Sequence, residues 1–126
     1  MNFWETLKSI GIIPVIQIND AKKAVPLALA LKKGGLPAAE VTFRTDAAEE
    51  AIRRIKIEVP DVCVCAGTVL NVKTAERAVK AGASAIISPG TNPEVVRWCI
   101  AHRVPVIPGC ATPTEVEAAC AWDSIL

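Results

Sequence analysis

Short apolar runs alternate with longer amphipathic ones along the chain. Residues 11–18, GIIPVIQI, read as a strand. Residues 19–35 read as a helix opened by Asn19 or Asp20, closed at Gly34 and Gly35, and kinked by the internal Pro26. AAEVTF, residues 38–43, is the second strand, and residues 46–60 form a helix capped by Asp46. DVCVCAG, residues 61–67, is the third strand, followed by a helix over residues 71–83 that stops at Gly82. SAIISPG, residues 84–90, leads into a helix over residues 91–103 with Pro93 in its first turn. VPVIPG, residues 104–109, leads into a last helix over residues 112–121, for which Thr112 or Thr114 is the cap; Thr112 has Glu115 three residues on, as in a capping box.

Strands that are apolar on both faces and alternate with helices require a parallel sheet covered by those helices. The second to fifth strands each end in a small or polar turn, FRTD, AGTV, SPGTN or PGCATP. In parallel α/β folds the carboxyl ends of the strands carry the ligand site, so the residues of interest gather on one rim. Periodicity leaves both a doubly wound open sheet and a (β/α)8 barrel available; the G-x-G-x-x-G fingerprint that favours the open sheet is absent.

Composition narrows the class. The chain has 126 residues, 52% apolar and 21% charged, enough for one domain with a substantial core. Fourteen basic and thirteen acidic residues leave a net charge of +1, which gives no field to attract nucleic acid or an anionic membrane. No apolar run is long enough to span a bilayer, and the amphipathic start MNFWETLKSIG lacks a signal-peptide core, so a cytoplasmic location is expected. The five cysteines, at positions 63, 65, 99, 110 and 120, have neither zinc-site spacing nor the density of a disulfide scaffold. They read as reduced, small apolar residues, although Cys63 and Cys65 share a strand face and leave a redox or metal pair as the alternative.

Candidate chemistry is concentrated on the second strand. Glu40 and Thr42 alternate to one side, Val41 and Phe43 to the other, and Arg44 continues the first alternation. That side faces either a barrel interior or the helices. A carboxylate so placed is costly unless paired, so Glu40 and Arg44 are either a structural pair or a burial-tuned general acid/base beside a cation that holds a substrate carboxylate. Thr68 in AGTV supplies a hydroxyl at the end of the third strand, and the turn SPGTNP brings Pro89 to the rim; turning and capping account for both motifs equally well. His102, the single histidine, sits near a helix carboxyl end where the dipole favours it, and nothing supports a serine-type triad or a histidine metal site.

In order and spacing, GIIPVIQIND, AAEVTFRT, CAGTVLN, SAIISPGTNPEVV and VPVIPGCATPTE resemble the 2-keto-3-deoxy-6-phosphogluconate/4-hydroxy-2-oxoglutarate aldolase family, from about residue 8 to residue 120. The resemblance implies a (β/α)8 barrel, here represented by about its first five β/α units, and a homotrimeric assembly. It implies a class I aldolase that holds pyruvate as a Schiff base on a lysine, with no metal and no cofactor. Glu40 matches the family's general acid/base, Arg44 and Thr68 its anchors for the pyruvate carboxylate, and Pro89 a residue packed against the substrate.

The family's Schiff-base lysine lies on a sixth strand, in a K-F-F-P-A motif that this sequence does not contain, and Lys32, Lys33 and Lys80 fall on predicted helix faces. The chain alone is therefore expected to be inactive. AWDSIL, residues 121–126, stands where M-G-L-D-x-V-K is expected, and a one-base shift of frame after a GCA codon for Ala121 reconciles the two. A truncating frameshift is the expectation, which an intact frame on resequencing removes. An open five-stranded fragment is further expected to expose both edges and its interior face, and so to self-associate.

Overall fold

A computed structural model describes residues 2–122. Of the tail AWDSIL, residues 121–126, for which a shift of frame is expected, residues 123–126 lie outside the described residues. The elements are α1 (Phe3–Ile10), β1 (Val15–Ile16), a 3-10 turn (Ala21–Lys23), α2 (Ala24–Lys33), β2 (Ala38–Thr42), α3 (Ala48–Glu58), β3 (Cys63–Gly67), α4 (Val72–Ala81), β4 (Ile86–Ser88), α5 (Pro93–Ala101), β5 (Val106–Pro108) and α6 (Pro113–Ala121). Among the described residues no helix is long and apolar enough to cross a membrane.

All neighbouring strands pair in parallel, in the order β1-β2-β3-β4-β5. A doubly wound sheet reverses its strand order at a switch point, and this order has no reversal. The architecture is a partial α/β barrel, with β1 and β5 at its two edges.

Alternation sorts the strand residues into two layers. Val41, Val64, Ala66, Ile86 and Val106 point into the main core, where Ile52 and Ile55 of α3, Ala75 and Ala78 of α4, and Val95, Val96 and Cys99 of α5 cover them. The other face carries Glu40 and Cys65, paired in register, and the register pair Ile87 and Ile107. Ile87 and Ile107 are only half-buried and Val15 is 60% exposed, so one sheet face is sealed by helices and the other is partly open.

Side chains cap several of the helix starts. Asn71 and Asn92 cap α4 and α5, accepting from the Thr74 and Glu94 N–H groups, with Pro93 in the first turn of α5. Thr112, rather than Thr114, caps α6, and Glu115 completes the box.

Three expectations change. The predicted strand over residues 11–18 contributes only Val15–Ile16 to the ladder, flanked by the Pro14 carbonyl, which accepts from Glu40 N–H at 2.9 Å. Asp20 caps the 3-10 turn, and α2 starts after it, so Pro26 is the third residue of α2 rather than an interior kink; its missing N–H is one that a first turn leaves unpaired anyway. Asp46 does not cap α3: the helix begins after Ala47 with no side-chain cap, the Ala48 N–H turns back to the Thr45 carbonyl at 3.4 Å, and Glu49 and Glu50 supply the negative charge of the first turn.

Ile52 is fully buried where α3 meets the sheet. Truncation of Ile52 to Ala should cost about 3 kcal/mol and lower the thermal midpoint by roughly 10 °C; calorimetry or circular dichroism melting checks this.

Candidate active site

β2 is held on both sides. Its backbone pairs with β3 from Ala38↔Cys63 to Thr42↔Gly67, and on the β1 side the Glu40 N–H donates to Pro14 while the Thr42 hydroxyl donates to the Ile16 carbonyl at 3.0 Å. Val41 enters the helix-covered core, so Glu40 and Thr42 point to the opposite face, the interior of the partial barrel. Of the two orientations open to the sequence, the structure takes the interior one.

The Glu40 side chain lies across the end of β3, over Gly67. A Cβ built on Gly67 would fall 2.0 Å from Glu40 Oε1 and 2.7 Å from its Cδ. Only glycine leaves space for the carboxylate there, and this requirement concerns close approach rather than backbone angle. The carboxyl is half-buried, and burial pushes its pKa above the ordinary 4.5, against the opposing pull of the Arg44 charge. No salt bridge of 4.0 Å or less joins Glu40 to Arg44, and Arg44 is exposed, so the structural ion pair is not what the structure forms.

Arg44 and Thr68 meet in one cavity of about 200 Å³ on the rim, whose wall also includes Phe43, Asp46, Asn71 and Arg77. Arg77 is committed elsewhere: it binds Glu49 at 2.7 Å and stacks its guanidinium 5.7 Å from the Phe43 ring centroid. Arg44 forms no ion pair among the described residues and is the cation available to an anion in this cavity.

Thr68 has φ +57°, a left-handed backbone that a β-branched residue adopts only at a cost of about 1–3 kcal/mol. Its neighbours hold it there. The Val69 N–H reaches the Ile87 carbonyl at 3.3 Å, and Asn92 donates to the Leu70 carbonyl at 3.1 Å while capping α5.

Pro89 lines a separate, adjacent cavity of about 200 Å³ with Ser88, Thr91 and Asn92, and Leu70 borders both. Glu40 lines neither cavity. The structure thus brings Arg44 and Thr68 together, sets Pro89 next door, and places Glu40 on the interior face beneath the same rim. Gly109 lets β5 approach this turn: its N–H donates to Ser88 O at 2.9 Å, and a Cβ there would fall 2.2 Å from Pro89 O.

His102 ends α5, stacked on Trp98 with ring centroids 4.2 Å apart and Nδ1 2.8 Å from the Trp98 carbonyl, which is a capping role. Among the described residues no three His, Cys, Asp or Glu side chains gather as a metal site. Sequence reasoning missed Gly67 as the seat of Glu40 and Asn92 as the strut of the Thr68 loop. The strand pairing that reveals the first has no local signature, and the Asn-Pro step of the second reads only as a helix cap.

Because the folded-state pKa of Glu40 is raised, its acid form contributes stability that is fully present below 4.5 and lost as pH rises through the folded value. Glu40→Gln removes that loss. The stability difference between the variant and the parent, measured by urea denaturation, should therefore grow in favour of the variant as pH rises from below 4.5 toward neutrality.

The KDPG and KHG aldolase family model matches residues 4–123. The chain is 49% identical over 119 residues to a 2-dehydro-3-deoxy-phosphogluconate aldolase of Treponema pallidum, covering 94% of this chain and 57% of that one. It is 40% identical over 115 residues to the enzyme of the same name from Haemophilus influenzae, covering 91% and 54%. Among solved structures, the 2-keto-3-deoxy-6-phospho-gluconate aldolase of Zymomonas mobilis superposes with TM-score 0.85 at 38% identity, over 92% of this chain and 58% of that one. The KDPG aldolase of Legionella pneumophila, solved with pyruvate captured as a covalent carbinolamine, gives TM-score 0.84 at 37% identity, over 87% and 53%. The chain thus spans a little over half the length of the relatives it matches. Agreement of the family model over nearly the whole chain, of identities up to 49%, and of an uninterrupted parallel strand order means that the chain belongs to the KDPG and KHG aldolase family.

Proposed function

We propose that residues 1–126 form the amino-terminal part of a single barrel domain that works as a class I aldolase, cleaving a 2-keto-3-deoxy sugar acid or its phosphate to pyruvate and an aldehyde. The observation that carries this reading is the convergence of Arg44 and Thr68 on one rim cavity directly above the strand that bears a desolvated Glu40. In this reading the Arg44 guanidinium and the Thr68 hydroxyl hold the carboxylate of the pyruvate moiety. Pro89 supplies an apolar wall beside the substrate. Glu40, its pKa raised toward the working range by burial, moves protons between the pyruvate methyl carbon and the aldehyde oxygen. For the complete protein the proposal includes a homotrimer without a metal, as the family resemblance implies, and a cytoplasmic location.

The covalent step needs an amine of lowered pKa inside the barrel. None of the five strands carries a lysine, and Lys32, Lys33 and Lys80 sit on α2 and α4. This favours a second reading for the 126-residue chain by itself, a part-barrel that holds small 2-oxo acids without bonding to them.

Pyruvate titration followed by NMR tests the site. Amide shifts should cluster at Arg44 and Thr68, and Arg44→Ala should weaken binding about tenfold, equivalent to ~1.4 kcal/mol. Pyruvate with borohydride, read by intact mass, should leave the 126-residue chain unmodified. Shifts that avoid the rim would remove the site reading, and a reduced adduct would remove the non-covalent one.

A further inference from the structure

Cys63 and Cys65 remain unused by this chemistry. Both lie on the interior face of β3, but at different depths: Cys65 pairs in register with Glu40, whereas Cys63 pairs with Ala38 at the amino end of the strand, away from the rim. Cys65 is fully buried and Cys63 is half-exposed. Cys63 opens into a cavity of about 330 Å³ whose wall includes Phe3 and Thr6 of α1, Lys56 of α3, Asp61 and Ser84. This cavity shares no lining residue with the rim cavities.

Charge in the cavity favours an anion. Asp61 is bound to Lys32 at 2.7 Å, whereas Lys56 forms no ion pair among the described residues. The Lys56 stem is laid over Gly82, where a Cβ would fall 2.6 Å from Lys56 Cγ, and this packing fixes its base beside the cavity. The Cys63 thiol is pulled below the ordinary thiol range by the neighbouring Cys65 thiol, against a partial burial penalty, with help from the nearby Ser84 side chain and the Lys56 charge. Cys65 moves the other way, raised by its Cys63 neighbour and by burial, so it stays protonated.

We propose that Cys63 is a reversible thiol-modification site for low-molecular-weight disulfides bearing carboxylates, with Lys56 on the same cavity wall as the cation that draws the reagent in. In the reaction, Cys63 loses its proton to water and its sulfur attacks one sulfur of the small disulfide. A new S–S bond forms as the old one breaks. The departing half leaves as a thiolate with the bonding pair and is protonated by water, so the protein thiol is oxidised and the leaving half reduced. A thiol of the same small molecule reverses the step. Cys120, exposed on α6, lacks this setting and serves as the internal reference.

The test is competition within one molecule. The intact chain is exposed to substoichiometric glutathione disulfide at neutral pH, and the modified peptides are quantified by mass. Cys63 should react about tenfold faster than Cys120, and Lys56→Gln should slow Cys63 about threefold while leaving Cys120 unchanged. Cystamine, the cationic disulfide, should lose the preference for Cys63. Modification of Cys120 first, equal rates at both cysteines, or the same preference with cystamine overturns the proposal.

Discussion

The proposed rim chemistry depends on one close approach, the carboxylate of Glu40 laid against a backbone that has no side chain at Gly67. The register that pairs Glu40 with Cys65 and Thr42 with Gly67 sets Glu40 two pairs short of the strand end, with its carboxyl reaching toward the rim. A one-residue slip would send Glu40 into the helix-covered core, where an unpaired carboxylate is not tolerated. The register is fixed from both neighbours, by Pro14 and Ile16 on one side and by the β3 ladder on the other. Burial of Val41 beneath the helices and half-burial of Glu40 on the other face are therefore two results of one alignment.

Around that seat the rim divides its work. Arg44 lies just past the strand, exposed and without an ion-pair partner among the described residues, so its charge reaches Glu40 through space and opposes the desolvation without cancelling it. An acid held by a tight pair with arginine would stay ionised and be a poor proton donor. An acid desolvated beside a more distant cation can hold or release a proton as the bound charge changes. Thr68 stores backbone strain that the Asn92 strut and the Val69 bond maintain, which is how a hydroxyl is fixed on a loop rather than a strand.

Much of this was legible in the sequence because local and global signals agree. Alternation in AAEVTF put Glu40 and Thr42 on one face, and the capping box of Thr112 and Glu115 is chemistry contained within three residues. Periodicity alone left open sheet and barrel both available, since strand order is a long-range property; the family motifs implied the barrel, and the unreversed order of the ladder agrees. Asp46 misled because a residue that looks like a cap was superseded by a backbone turn from Thr45, and Pro26 because a 3-10 turn absorbed the start of its helix. The seat at Gly67 was hidden for a different reason: a glycine before a threonine at a strand end has an adequate explanation as a turn, and only the neighbouring strand reveals what its missing side chain permits.

The most direct test is the titration of the Glu40 carboxyl carbon by 13C NMR, in the parent chain and in Gly67→Ala. The account requires a midpoint above 4.5 in the parent. In the variant the midpoint should move back toward 4.5, as the added methyl forces the carboxyl off β3 and into water. A parent midpoint at or below 4.5, or one that the methyl leaves unmoved, would contradict the claim that contact with Gly67 sets the acid's character.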